Sequence, residues 1–152
     1  MKAEGRLPPC YRRAVVDTNV IISAILSPRG APAQLVRRLL REGELVFSAP
    51  TFAELETRLS RPKFDPYLTL EERQSLLQDI ASCARWCEAE TLIGTWCRDP
   101  DDDKFIALAL TEGITRLVAG DADLLCLDPL GELRILTPAQ ALEELMLADR
   151  GL

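Results

Sequence analysis

Four carboxylates stand where short apolar runs end or where helices are expected to open. Asp17 closes the run Ala14-Val15-Val16, Glu54 follows Pro50-Thr51, Asp103 follows Asp99-Pro100, and Asp121 follows Arg116-Leu117-Val118-Ala119-Gly120. Taken singly, three have ordinary explanations. Asp103 near a helix start complements the helix dipole, Glu54 reads as a solvated helix acid, and Asp121 as a turn residue or N-cap. Asp17 is different, because a carboxylate ending a buried strand is costly unless it meets a ligand or hydrogen-bond donors. If the four met at one place, their repulsion would be relieved by a divalent cation. An all-oxygen donor set suits Mg²⁺ or Mn²⁺. Such an ion neutralises phosphoryl oxygens and lowers the pKa of water, which is the chemistry of phosphodiester hydrolysis.

The elements that must position these acids are short apolar strands alternating with helices. Strands are expected at Ala14 to Val16, Leu45 to Phe47, Arg116 to Ala119 and Leu133 to Leu136, with an ambiguous candidate at Ala84 to Glu88. Helices are expected over Val20 to Leu26, Ala33 to Arg41, from Ser48 or Pro50 to before Pro62, from Thr69 to about Cys83, over Asp101 to Leu110, in part over Leu124 to Leu127, and after Thr137-Pro138. Thr69 with Glu72 has the spacing of a capping box. This alternation implies an α/β fold with a parallel sheet between helical layers. Ligands of open parallel sheets bind beyond the carboxyl ends of the strands, where all four acids are expected. Asp103 shares a helical face with Ala107 and Leu110, which would let it point to the sheet end. With 152 residues, the chain reads as a single domain over 14–147, a loose leader at 1–13 and a tail at 148–152.

Composition narrows the chemistry further. There is no histidine, which excludes His-based triads, His-ligated zinc and imidazole proton shuttles. Net charge is −6, from 24 acidic against 18 basic residues, so a polyanion could not be held by overall charge and would need metal or local cations. The five cysteines form no Cys-x-x-Cys pair, and in a reducing compartment most of them read as small core residues. No apolar run reaches the ~18 residues needed to span a bilayer, and Met1 to Arg13 lacks the apolar core of a signal peptide. A cytoplasmic location with no membrane association is expected.

Three other acidic sites fail on particular residues. An EF-hand reading of Asp99, Asp101 and Asp103 meets Lys104 at the glycine position and Leu110 at the final glutamate position. A phospho-acceptor receiver needs a lysine after a late strand, and the lysines are Lys2, Lys63 and Lys104. A haloacid-dehalogenase-type phosphatase wants Asp-x-Asp after the first strand, where Asn19 takes the second place; Asp121-Ala122-Asp123 comes too late in the chain.

Val15-Val16-Asp17-Thr18-Asn19-Val20, Pro50-Thr51-Phe52-Ala53-Glu54-Leu55, Arg98-Asp99-Pro100-Asp101-Asp102-Asp103-Lys104-Phe105 and Gly120-Asp121-Ala122-Asp123-Leu124-Leu125 follow one another in an order that resembles the PIN-domain family. With Ser60-Arg61-Pro62-Lys63-Phe64, the likeness is to the bacterial and archaeal branch of toxin components of toxin–antitoxin systems. It runs from about Ala14 to Met146. The resemblance implies a three-layer α/β/α fold with about five parallel strands and a Mg²⁺- or Mn²⁺-dependent endoribonuclease. Matched by position, Asp17, Glu54, Asp103 and Asp121 fall on the family's acidic site, Asp17 and Asp103 foremost as ligands. Asp121 would bind a second ion or orient water, Asp123 would be its nearest substitute, and Thr18 and Asn19 would hold Asp17 or the water. Ala119 departs from the pattern, because relatives often carry a hydroxyl there. An antitoxin and a homodimer are implied partners. The three lysines leave 15 arginines among the 18 cations, so RNA contact would fall mainly to arginine. Arg29, Arg61 and Lys63 in loops are the candidates, while Arg37, Arg38 and Arg41 read as a solvated helix face. A catalytically weak or inactive scaffold that binds RNA or protein, and a nuclease acting on DNA or in RNA maturation, are the competing readings.

Overall fold

The computed structural model describes residues 7–88 and 93–151. Five strands, β1 (Arg13–Val16), β2 (Glu44–Phe47), β3 (Arg85–Trp86), β4 (Arg116–Val118) and β5 (Arg134–Leu136), form one parallel sheet in the order β3-β2-β1-β4-β5. Seven α-helices connect and flank them among the described residues: α1 (Thr18–Leu26), α2 (Ala31–Glu42), α3 (Ala49–Leu59), α4 (Leu70–Cys83), α5 (Asp103–Thr111), α6 (Ala122–Leu125) and α7 (Pro138–Asp149). The expected α/β/α architecture is present, and the ambiguous stretch at Ala84 to Glu88 contains a two-residue strand on the sheet edge.

Strand periodicity explains the three layers. Ala14, Val16, Leu45, Phe47, Val118 and Leu136 point to one face, where they pack against α1, α2, α3 and α7 through residues such as Ile21, Leu35, Leu39, Leu55 and Leu145. Val15, Val46, Leu117 and Ile135 point to the other, against Phe105, Ile106 and Leu108 of α5 and Leu124 of α6. Both faces are therefore apolar, and the strands read as continuous hydrophobic runs.

Helix starts carry the organisation from fold to site. Asp17 caps α1 by accepting from the Val20 amide, and Asp121 caps α6 by accepting from the Asp123 amide. Ser48 with Thr51, Thr69 with Glu72 and Thr137 with Gln140 form capping boxes on α3, α4 and α7. Each of β1, β2, β4 and β5 thus leads within a few residues into a helix whose N-terminus faces the carboxyl edge of the sheet.

The ends of the chain differ from expectation. Residues 1–6 of the expected leader, and Leu152, lie outside the described residues. Leu7 and Tyr11 are buried in the core, the latter from a 3₁₀ turn at Pro9–Tyr11, and Arg13 already belongs to β1. Tyr11 has an apolar body that fills the core and a hydroxyl that reaches Glu144 at 2.5 Å. At the other end, α7 runs to Asp149, whose carboxylate pairs with Arg38 at 2.6 Å. No helix among the described residues is long and apolar enough to cross a membrane.

Candidate metal centre

At the carboxyl edge of the sheet the acids converge, with one change of register. One carboxylate oxygen from each of Asp102, Asp121 and Asp123 lies within 4.8 Å of the others. Asp17 stands beside them, close enough that the charges of Asp121 and Glu54 act on it. Its two oxygens accept from the amides of Val20 at 2.8 Å and Gly120 at 3.2 Å. These bonds lock the carboxylate at the junction of β1 and β4, and Asp17 is only 3% exposed.

Asp103 is not brought into this group. Its Oδ1 accepts from the amides of Trp96 at 3.0 Å and Cys97 at 2.7 Å, which ties the incoming loop to the start of α5. Burial works against its ionisation, but those amide bonds outweigh it and hold the carboxyl below the usual range. The residue that faces the acids is Asp102, one position earlier. A 3₁₀ turn at Pro100–Asp102, capped by the Asp99 side chain on the Asp101 amide, precedes α5. With three residues per turn rather than 3.6, it rotates the direction in which Asp102 leaves the backbone. The helix expected from Asp101 thus opens as a 3₁₀ turn, with Asp102 in the cluster and Asp103 on the loop side.

Glu54 stands on the flank of the site, held from both sides. Its Oε2 accepts a short bond from the Thr18 hydroxyl. Its Oε1 accepts from Lys104 Nζ at 3.1 Å and Arg58 Nη2 at 3.4 Å. Arg58 is in turn steadied by Asn19, whose Oδ1 accepts from Nη1 at 2.8 Å. Thr18 and Asn19 therefore orient Glu54 and Arg58 respectively. The Glu54–Arg58 contact is an i,i+4 pair legible in the sequence; Lys104, fifty residues away, enters only through the fold.

The electrostatics are those of acids short of counter-charge. Burial pushes Asp17 up to about 6, amide bonds from Val20 and Gly120 pull the other way, and the charges of Asp121 and Glu54 add to the rise. Asp102 is raised to about 7 by burial, by a hydrogen bond with Asp121 and by the charges of Asp121, Asp99 and Glu54. Burial, a hydrogen bond to Asp103 and the surrounding acids push the Cys97 thiol up to about 12, so it is no nucleophile at neutral pH. All five cysteines are free thiols. Ala119 is fully buried, with its amide donating to Leu136, and offers no hydroxyl to the site.

The donor set fits a hard divalent cation. All its atoms are oxygens, and oxygens opposite each other on Mg²⁺ stand about 4.2 Å apart, twice a bond of ~2.1 Å. Three oxygens within 4.8 Å need only small rotations to meet that spacing. Two clefts lie on the Glu54 and Arg58 flank of the site. One of about 330 Å³ is lined by Glu54, Arg58, Arg61, Asp101 and Lys104, among others. A neighbouring one of about 490 Å³ shares Arg58 and Arg61 and adds Asn19, Lys63 and Phe64. Of the expected RNA-contacting residues, Arg61 and Lys63 line these clefts. Arg29 lies apart in the α1–α2 loop, where its carbonyl accepts from Gln34.

The family model for the PIN domain matches residues 13–123, more than half of the chain. The chain belongs to the PIN-domain family. PIN domains are generally nucleases and generally use divalent metals. The chain is also 30% identical over 142 residues, 87% of its length and 90% of the relative's, to the uncharacterised protein MJ1680 of Methanocaldococcus jannaschii. Its fold is similar to a chain in the crystal structure of VapBC2 from Rickettsia felis bound to a DNA fragment from their promoter, with a TM-score of 0.55. That likeness covers 81% of this chain and 96% of the other at 16% identity, and concerns the PIN fold alone.

Proposed function

We propose that this PIN domain is a divalent-metal-dependent endoribonuclease, acting in the cytoplasm as the toxin of a toxin–antitoxin pair. The observation that carries the nuclease reading is the meeting of Asp17, Asp102, Asp121 and Asp123 at one sheet edge, with cation-lined clefts on the Glu54 flank. The antitoxin rests on the family branch that the sequence resembles and on the VapBC2 complex whose fold this chain shares.

A bound divalent cation supplies Lewis acidity toward a phosphoryl oxygen and lowers the pKa of water. Asp102, Asp121 and Asp123 would hold it, with Asp17 as the rigid member fixed by the Val20 and Gly120 amides. Asp102, whose carboxyl burial pushes up, would have to be ionised to serve as a ligand. Arg61 and Lys63 hold the RNA backbone in the clefts, while Glu54, fixed by Thr18, Lys104 and Arg58, borders the reacting phosphate. The assigned ligand at the start of α5 is Asp102; Asp103 positions the loop that carries it.

Incubating purified protein with a mixed RNA pool and Mn²⁺ or Mg²⁺ tests this reading. Cleavage that stops with a chelator and in Asp17→Asn and Asp102→Asn is the expected result. A folded wild type that binds Mn²⁺ and RNA but cuts neither RNA nor matched DNA would establish the scaffold reading instead. The engagement of both Glu54 oxygens by protein groups is the one observation favouring it. Cleavage of DNA alone would reassign the substrate.

A further inference from the structure

The charges around the site are polarised. The aspartates gather on one side, and on the other Lys104 and Arg58 bring two positive charges to the single carboxylate of Glu54. Both cation side chains remain open to solvent, Lys104 at 25% and Arg58 at 27%, whereas Glu54 is 10% exposed. Both line the cleft on this flank, together with Arg61 and two carboxylates, Glu54 itself and Asp101. Arg58 and Arg61 continue into the second cleft toward Lys63. An ammonium has three donors and a guanidinium five, and the bonds to Glu54 and Asn19 use only part of them.

We infer that Lys104 and Arg58 form a substrate-phosphate clamp that Glu54 holds in readiness. This assignment rests on the ribonuclease reading and gives the strand its path. Backbone phosphates run along Lys104, Arg58, Arg61 and Lys63, and the scissile phosphate lies at the border between this cationic side and the aspartates. Glu54 is the anchor of the clamp. By fixing two long side chains before RNA arrives, it removes much of the ordering cost of binding. It also explains how an acidic chain tolerates a polyanion, since the repelling aspartates and the attracting cations are separated across one cleft. Lysine supplies a point charge to the phosphate, and Arg58 and Arg61 supply planar donors suited to two oxygens at once.

The experiment measures binding of fluorescein-labelled oligouridine by anisotropy in chelator, from about 50 to 200 mM salt, for wild type, Lys104→Gln, Arg58→Gln and Lys104→Arg. Mn²⁺ affinity is measured by calorimetry on the same proteins, and folding by circular dichroism. Each lost phosphate contact lowers the salt slope for a single strand by ~0.7. Lys104→Gln and Arg58→Gln should each show that drop and bind RNA roughly 10-fold more weakly at the lowest salt, with Mn²⁺ affinity within about twofold of wild type. Lys104→Arg should restore the slope. Unchanged salt slopes overturn the clamp. Loss of Mn²⁺ affinity at constant slope also overturns it, because the cations would then only order Glu54. If wild type binds RNA without cutting it, the ribonuclease reading fails, and the slopes still decide the clamp.

Discussion

The two edges of the sheet treat charge in opposite ways. At the amino edge, four of the five strands begin with an arginine, and every one is paired. Arg13 meets Glu112 at 2.8 Å, Arg85 meets Glu44 at 4.0 Å, Arg116 meets Glu144 at 3.0 Å and Arg134 meets Asp128 at 2.9 Å. At the carboxyl edge, the clustered aspartates make no ion pair with a guanidinium among the described residues, and burial leaves Asp17 and Asp102 reluctant to ionise. Similar side chains serve stability where they are matched, and create demand for a ligand where they are not. The matched edge also shows its own pKa signature. Burial works to raise Glu144, but hydrogen bonds from Tyr11 and Arg116 prevail and lower it.

The sharpest way to break this contrast is to neutralise adjacent aspartates separately. Asp102→Asn should lower cleavage by ~10³-fold, several kcal/mol of lost metal-dependent catalysis, and abolish Mn²⁺ binding in calorimetry. Asp103→Asn should instead destabilise the fold by about 1–2 kcal/mol through weaker bonds to the Trp96 and Cys97 amides, visible as a lower urea midpoint with Mn²⁺ affinity retained. Equal loss of metal affinity in both would return Asp103 to the ligand set.

A second expectation concerns pH. Burial pushes Asp17 up to about 6 from the ordinary carboxylate range near 3.8, so between these values the folded state holds a proton that the unfolded chain has released. Stability from this group is complete below ~4 and is lost as pH rises through about 6, on the order of 3 kcal/mol. Urea denaturation in chelator should therefore show wild type weakening across that window, and Asp17→Asn weakening less. Saturating Mn²⁺ should reverse the trend, because ligation requires the ionised form. Glu144 behaves oppositely: its lowered value contributes stability above ~4.3 that disappears as pH falls further.

The smallest expected effect lies at the matched edge. Arg116→Met removes one of the two partners of Glu144, leaving the Tyr11 hydroxyl, and keeps much of the packing over the Tyr11 ring. Glu144 is partly exposed, so water recovers some of the loss, and about 1 kcal/mol of destabilisation is expected by thermal melting. Mn²⁺ and RNA affinity should not move.

Most of the fold was legible because its punctuation is local. Asp17, Thr69 and Thr137 mark helix starts by their own hydrogen bonds, and apolar runs on both sheet faces leave no ambiguity about class. The site was less so. That four regions converge follows from topology, since strand ends share one edge. The choice between Asp102 and Asp103 depends on a single 3₁₀ turn that alters the angle between neighbouring side chains. Lys104 carried no signal, because its role depends on α3 and α5 lying side by side beyond the sheet. The leader misled for another reason: Pro8 and Pro9 suggest a loop, but a loop can still bury its apolar residues.

That last feature fixes where the folding unit begins. A Cβ on Gly43 would stand 2.7 Å from Leu7 Cδ1 and 3.0 Å from the Arg12 carbonyl oxygen, so the segment before β1 lies directly on the α2–β2 turn. Leu7 and Tyr11 bury side chains there and in the core, each typically worth about 1.5–3 kcal/mol. Their sum of roughly 3–6 kcal/mol reaches the low end of the ~5–15 kcal/mol margin by which small domains stay folded. A version trimmed to start at the first strand would keep every residue of the metal centre and still be poised to unfold.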